Sequence, residues 1–136
     1  MRKPDVALED NRRIRCLVAE DNPVTQQLIR GLMQQMGATI TQAFTGTETV
    51  RYACSEKFDL IFMDIMMPEM EGTAATREIR SRAESLNRHT PIVAFTALGD
   101  WNEHEYERIG MNDLLAKPFT RQELYAVFTK WLHKEV

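Results

Sequence analysis

The sequence predicts an α/β fold: a doubly wound parallel sheet in which five strands alternate with five helices. Two observations carry this. Short apolar runs alternate strictly with stretches of helical period from residue 14 to residue 133. The strongest run, FDLIFMD over residues 58–64, is apolar almost throughout, as in a strand covered on both faces. Strict alternation places helices on both faces of a parallel sheet. Short chains of this kind commonly take the strand order 2-1-3-4-5 and bind ligands outside the carboxyl ends of the strands.

Each element has its own signal. Residues 1–13 (MRKPDVALEDNRR) are charged and without a usable period, so they read as a lead-in or linker ahead of one domain over 14–136. IRCLV, residues 14–18, is a buried strand that gives way to Ala19, Glu20 and Asp21. Asn22-Pro23 opens a helix, with Asn as cap and Pro at the first helical position. Val24, Leu28, Leu32 and Met36 follow at helical spacing, and Gly37 stops it. Residues 38–44 read as the second strand and 46–57 as a short helix, with Val50, Tyr52, Ala53 and Cys54 on or near its inner side. The third strand ends at Asp64. A loop with Pro68 and Gly72 leads to a helix over about 73–84. Residues 91–96 (PIVAFT) form the fourth strand, and a helix near 100–109 ends at Gly110. A short strand covers 113–117. The last helix spans 120–133, with Thr120 as cap and Glu123 three residues on.

The composition excludes several classes. The chain has 136 residues, enough for one domain and too few for two ordinary ones. It is 43% hydrophobic and 27% charged, with a net charge of −3, which is ordinary for a soluble protein. A nucleic-acid partner would ask for a basic face, which this charge balance does not supply. Cys16 and Cys54 form no CxxC pair, so they are expected to be reduced packing residues rather than zinc ligands. No signal-peptide core and no long apolar run is present. The expectation is a cytoplasmic domain that makes no membrane contact. His89, His104 and His133 are scattered singly, and none forms a ligand cluster.

The chemistry lies at the predicted strand ends. Strand 1 ends at Glu20-Asp21, strand 3 at Asp64, strand 4 at Thr96 and strand 5 at Lys117. Alone, each is an ordinary strand-end residue. Together they converge on one rim. Three carboxylates at ~5 Å and an effective dielectric of ~20 cost about 3 kcal/mol per pair, so the pocket needs protons or cations. Lys117 supplies one positive charge. A hard divalent ion such as Mg²⁺ suits the rest: Glu20, Asp21, Asp64 and a backbone carbonyl just beyond Asp64. The Met-rich stretch Met63, Met66, Met67 and Met70 offers soft donors, but the hard carboxylates beside it do not suit a soft metal. A carboxylate in such a pocket can act as a nucleophile toward a phosphoryl group. Asp64 would attack, Lys117 and the metal would each hold a phosphoryl oxygen, and the Thr96 hydroxyl would bond a third.

LVAEDN (17–22), DLIFMDIMMPEMEG (59–72), PIVAFTA (91–97) and GMNDLLAKPF (110–119) resemble the receiver domains of two-component signalling. The resemblance covers about residues 14–133. It implies a flavodoxin-like (βα)5 fold and phosphorylation of Asp64 by a phosphohistidine donor. It implies Mg²⁺ on Glu20, Asp21, Asp64 and the Met66 backbone carbonyl, and a cis peptide before Pro118 that aims Lys117 into the pocket. The partner it implies is a histidine kinase or a histidine-phosphotransfer protein. EDNPVTQQ and MPEMEG resemble the receivers of hybrid histidine kinases, and a chain ending just after the last helix suits the C-terminal part of one. A free-standing single-domain response regulator is the alternative.

Three further features bear on signalling. Leu114 stands where receivers often carry an aromatic, and a leucine presents neither a hydroxyl nor an aromatic rotamer there. Met66 and Leu98, each two residues past a site residue, are apolar and cannot orient an attacking water, which suggests a long-lived phosphoaspartate. Helix 1 carries Val24, Leu28, Ile29, Leu32, Met33 and Met36; either all six pack inside, or the outer margin forms a docking patch. Two other classes fit the residues less well. A flavodoxin-type cofactor carrier would need a first loop that welcomes phosphate, which Glu20-Asp21 repels. A phosphatase of the haloacid-dehalogenase type wants an acid two positions past its nucleophile, where this chain has Met66.

Overall fold

The computed structural model describes residues 13–96 and 103–132. Nearly all of the proposed lead-in, together with Ala97, Leu98 and His133, lies outside the described residues, as does the side chain of His104. The elements run β1 (Ile14–Ala19), α1 (Pro23–Gln35), β2 (Ala38–Ala43), α2 (Gly46–Ser55), β3 (Leu60–Asp64), α3 (Gly72–Ser81), β4 (Ile92–Thr96), α4 (Glu103–Ile109), β5 (Asp113–Ala116) and α5 (Arg121–Leu132). All pairings are parallel, in the order β2-β1-β3-β4-β5. The predicted architecture is therefore the observed one, with ends shifted by a few residues. α3 stops at Ser81, three residues short of its expected end.

The sheet splits the core in two. Cys16, Val18, Phe62, Val93, Phe95 and Leu115 face α1 and α5. Leu17, Ala19, Ile61, Met63, Ile92 and Ala94 face α2, α3 and α4. Alternate side chains leaving opposite faces of fully covered strands explain the continuous apolar runs.

The helix starts are locally encoded. The Asn22 side chain accepts hydrogen bonds from the N–H groups of Val24 (2.8 Å) and Thr25 (3.2 Å), with Pro23 at the first helical position. Thr120 and Glu123 form a reciprocal capping box: the Glu123 N–H donates to Thr120 Oγ1 (3.0 Å) and the Thr120 N–H to Glu123 Oε1 (2.9 Å). Gly37 takes φ +94° at the end of α1, which a side chain would disfavour.

The face of α1 differs from the simple four-residue spacing read from the sequence. Gln26, Ile29, Met33 and Met36 are buried, Leu32 is half-buried, and Val24 and Leu28 point outward at 74% and 55% exposure. The inner stripe thus includes a glutamine. Its two Nε2 hydrogens are shared among the carbonyls of Val18 (2.9 Å), Glu20 (3.0 Å) and Ala43 (2.9 Å), tying the ends of β1 and β2 to the helix. A buried amide with carbonyl partners costs little, so hydropathy alone misplaces the face. Cys16 is fully buried as expected, whereas Cys54 is only half-buried. Burial pushes both thiols up, so neither is a ready nucleophile. His89 is exposed.

Candidate functional site

Parallel pairing sets the four strand ends at one level. Ala19 pairs with Met63, Asp64 with Phe95, and Thr96 with Ala116. Glu20 and Lys117 each follow the last residue of their strand. Glu20, Asp21, Asp64, Thr96 and Lys117 therefore stand on the same rim, although up to 97 residues separate them.

One carboxylate oxygen each of Glu20, Asp21 and Asp64 lies within 4.8 Å of the others. Glu20 and Asp64 are buried, at 1% and 4% exposure, while Asp21 is exposed. Lys117 Nζ is 2.5 Å from Glu20 Oε1 and 3.2 Å from Asp64 Oδ2. The Asn22 N–H donates to Glu20 Oε2 (2.9 Å) and the Met66 N–H to Asp64 Oδ1 (3.1 Å). The Lys117–Pro118 peptide is cis, as the resemblance implied. Thr96 is buried, and its backbone carbonyl accepts from the Lys117 N–H at 2.8 Å.

The charges explain the proton affinities. Burial pushes the Glu20 carboxyl above its ordinary value; the bonds from Lys117 and the Asn22 N–H oppose this, and the neighbouring Asp64 charge adds to it. Burial alone would lower the Lys117 ammonium. The bond to Glu20 and the charges of Asp64 and Glu20 outweigh it, so its affinity for the proton rises. Lys117 is thus a fixed cation at any ordinary pH.

When all groups are ionised, three carboxylates against one ammonium leave two negative charges on the rim. Hard oxygen donors this close suit a divalent ion that keeps part of its water. The residues present therefore fit a metal of that kind. The same rim offers Lys117 to an anion. A pocket that can take a hard cation and an anionic oxygen together is equipped for phosphoryl chemistry at a carboxylate.

Three packing features were not visible in the sequence. Gly72, at the start of α3, sits against the end of β3: a Cβ there would lie 2.1 Å from the Asp64 carbonyl oxygen. Gly46, opening α2, approaches the β3–α3 loop in the same way, with its Cβ position 1.9 Å from the Met70 carbonyl oxygen. Phe95, next to Thr96, lies under the Lys117 ammonium, 4.7 Å from Nζ to the ring centroid. The signals for these were a glycine at a helix start and an aromatic in a strand, and neither is specific.

Fold and site together define a class: a parallel α/β domain with an acidic, lysine-bearing rim at the switch between β1 and β3. Residues 16–129 match the response regulator receiver domain family, and the chain belongs to it. It is 38% identical to the sensor protein GacS of Pseudomonas syringae over 123 residues, which is 89% of this chain and 14% of that one. Among solved structures it resembles the receiver domain of the sensor histidine kinase PA1611 from Pseudomonas aeruginosa, determined with a magnesium ion coordinated in the active-site cleft. That match has 37% identity and a TM-score of 0.81, covering 90% of this chain and 99% of that one. It also resembles the structure of the Saccharomyces cerevisiae histidine phosphotransfer protein Ypd1 with the receiver domain of its downstream response regulator Ssk1, at 26% identity and a TM-score of 0.79, covering 90% and 91%. The chain spans between 12% and 21% of the length of the first curated relatives it matches.

Proposed function

We propose that this receiver domain accepts a phosphoryl group on Asp64 from a phosphohistidine donor, with Mg²⁺ held by Glu20, Asp21, Asp64 and the Met66 backbone carbonyl. The observation that carries this is the Lys117 ammonium, bonded at once to Glu20 and Asp64 inside a three-carboxylate rim. The metal offsets negative charge on the phosphoryl oxygens and on the rim. The other tasks fall to the chain. An Asp64 carboxylate oxygen attacks phosphorus, the P–N bond to the donor imidazole breaks, and the imidazole nitrogen keeps the electron pair and takes a proton from solvent. Lys117 exchanges its carboxylate partners for a phosphoryl oxygen. Thr96, buried at the end of β4, donates its hydroxyl to another. Most of the catalysis is placement and charge, as phosphoryl transfer requires.

Mass spectrometry after incubation with acetyl phosphate and Mg²⁺ tests the site. One phosphate should be gained by the parent chain, and none by Asp64→Asn or in EDTA. Uptake that persists in Asp64→Asn would overturn the assignment. Followed over time, the same signal reads lifetime. Met66 is 60% exposed beside Asp64 and carries no group that orients water. The phosphate should therefore persist for minutes, and loss within seconds would contradict that.

The donor surface lies on the same rim. Val24, Phe44 and Met66 are large apolar side chains exposed just past the ends of β1, β2 and β3, and Leu28 is exposed one turn further along α1. Such a margin beside an acidic pocket suits the apolar face of a histidine-phosphotransfer protein's helix. Val24→Asp should slow transfer from such a protein by roughly tenfold or more, since a charge in an apolar contact costs about 1–3 kcal/mol. Uptake from acetyl phosphate should be unchanged. Equal transfer rates would remove helix α1 from the docking surface.

The similarity to GacS and to the PA1611 receiver supports a place within a hybrid sensor histidine kinase. A free-standing response regulator acting through phosphorylation-controlled protein binding is the second reading. In either setting the domain works in the cytoplasm. Among the described residues no helix is long and apolar enough to cross a membrane. Its contacts are with proteins rather than nucleic acid.

A further inference from the structure

Phe95 is fully buried in β4, in the core layer facing α1 and α5. Two residues of the β5–α5 connection rest on it. The Lys117 ammonium stands over its ring at 4.7 Å from the centroid, and the Phe119 ring packs against it at 5.4 Å with a 55° tilt. Lys117 and Phe119 flank Pro118, so one side chain supports the segment that delivers the lysine. In the sheet Phe95 pairs directly with Asp64.

We infer that Phe95 is a positioning residue for phosphoryl binding: its ring face keeps the Lys117 ammonium in the pocket without adding charge there. This rests on the reading of Asp64 and Lys117 given above. The physical reason is the kind of partner a ring is. A further carboxylate under Lys117 would deepen the repulsion among Glu20, Asp21 and Asp64. An aromatic face attracts a cation through its quadrupole, carries no net charge and gives a divalent ion nothing to bind. With the carboxylates engaged by a metal, less of their charge is left for the ammonium, and the share held by the ring grows. Lys117 is 23% exposed and has solvent as an alternative. A ring that favours the inward position raises the fraction of molecules ready to hold a phosphoryl oxygen, and the apparent affinity rises with that fraction.

A leucine would fill this part of the core nearly as well, so ordinary packing must be separated from the quadrupole. Replacing Phe95 in the full chain with mono-, di- and trifluorinated phenylalanine keeps shape while draining charge from the ring face. Beryllofluoride at fixed Mg²⁺ stands in for the phosphoryl group, and Mg²⁺ binding alone is measured alongside. Beryllofluoride affinity should fall stepwise, by about threefold to tenfold at trifluorophenylalanine. Phe95→Leu should fall with the most fluorinated ring, and Mg²⁺ affinity alone should not decrease. A flat fluorine series in a protein that binds beryllofluoride overturns the inference and leaves the site standing. Failure of the parent chain to bind beryllofluoride at all would overturn both.

Discussion

Gly72→Ala should damage fold and site together. The new methyl would lie 2.1 Å from the Asp64 carbonyl oxygen and 2.9 Å from its carbon. Both are backbone atoms and cannot swing aside like the end of a long side chain. The Gly72 N–H also donates to the Ile65 carbonyl at 2.8 Å, which holds the start of α3 against the end of β3. Relief must come from moving the helix or the strand, at a cost of about 3 kcal/mol, the upper part of the range for overpacking. Urea unfolding should show that loss. The displaced residue is the proposed phosphoacceptor itself. Mg²⁺ affinity and phosphate uptake should therefore both fall under conditions where the variant is still folded. Parent-like stability and uptake would mean that the contact between α3 and β3 is looser than this geometry.

Asn87→Ala should destabilise the domain by about 3–5 kcal/mol while leaving the site's chemistry in place. Asn87 is fully buried in the connection between α3 and β4. Its Nδ2 donates to the carbonyls of Ala53 and Glu56, both at 2.7 Å. Its Oδ1 accepts from the Phe58 N–H at 2.8 Å and from Thr90 Oγ1 at 2.9 Å. One amide thereby joins the end of α2, the approach to β3 and the approach to β4. Alanine would take one hydrogen bond each from two carbonyls, an N–H and a hydroxyl; the Ala53 carbonyl keeps the Leu86 N–H (3.1 Å) and Thr90 Oγ1 keeps the Phe58 carbonyl (3.3 Å), but the buried Phe58 N–H loses its Asn87 acceptor. These bonds lie at the amino ends of β3 and β4, opposite the acidic rim. Below its lowered melting temperature, the variant should take up phosphate from acetyl phosphate as the parent does. Chemical denaturation and the uptake assay together check this. Asn87→Asp should be no better, because a carboxylate cannot donate to Ala53 and Glu56. Near-parent stability for either variant would show that the connection has another anchor.

These two positions mark where reading the sequence stops. The strands were legible because a parallel sheet covered on both faces demands continuous apolar runs, as in β3, whose residues are all buried. The caps at Asn22 and Thr120 were legible because each involves residues two or three positions apart. The rim followed from topology: once all strands run parallel, their carboxyl ends share one edge, and Glu20, Asp21, Asp64, Thr96 and Lys117 must stand near each other. The family motifs led to the same residues. Asn87 gave no comparable signal. Its partners Ala53, Glu56 and Phe58 are around thirty residues away, and nothing in the sequence separates it from an exposed loop asparagine. The α3 boundary was misplaced for a related reason. Residues 82–84 suit a helix by composition, but Arg82 turns extended at φ −70°, ψ 134°, and the helix ends there.

The face of α1 shows the same division. Sequence periodicity found the helix but could not choose its inner stripe, since Val24 and Leu28 fit an apolar count as well as Ile29 and Met33 do. The tertiary structure chose by satisfying the Gln26 amide on carbonyls at the ends of β1 and β2, which turns Val24 and Leu28 outward. By itself the sequence determined the alternation of elements, the helix caps and the set of charged groups at the strand ends, because these depend on local pattern and on one rule of parallel topology. Only the tertiary structure decided which residues hold those groups in place: Gly72 behind Asp64, Phe95 beneath Lys117, Gln26 behind the Glu20 backbone. Hydrogen bonds, ring contacts and close approaches are set by distances across the fold, and those distances have no counterpart in spacing along the chain.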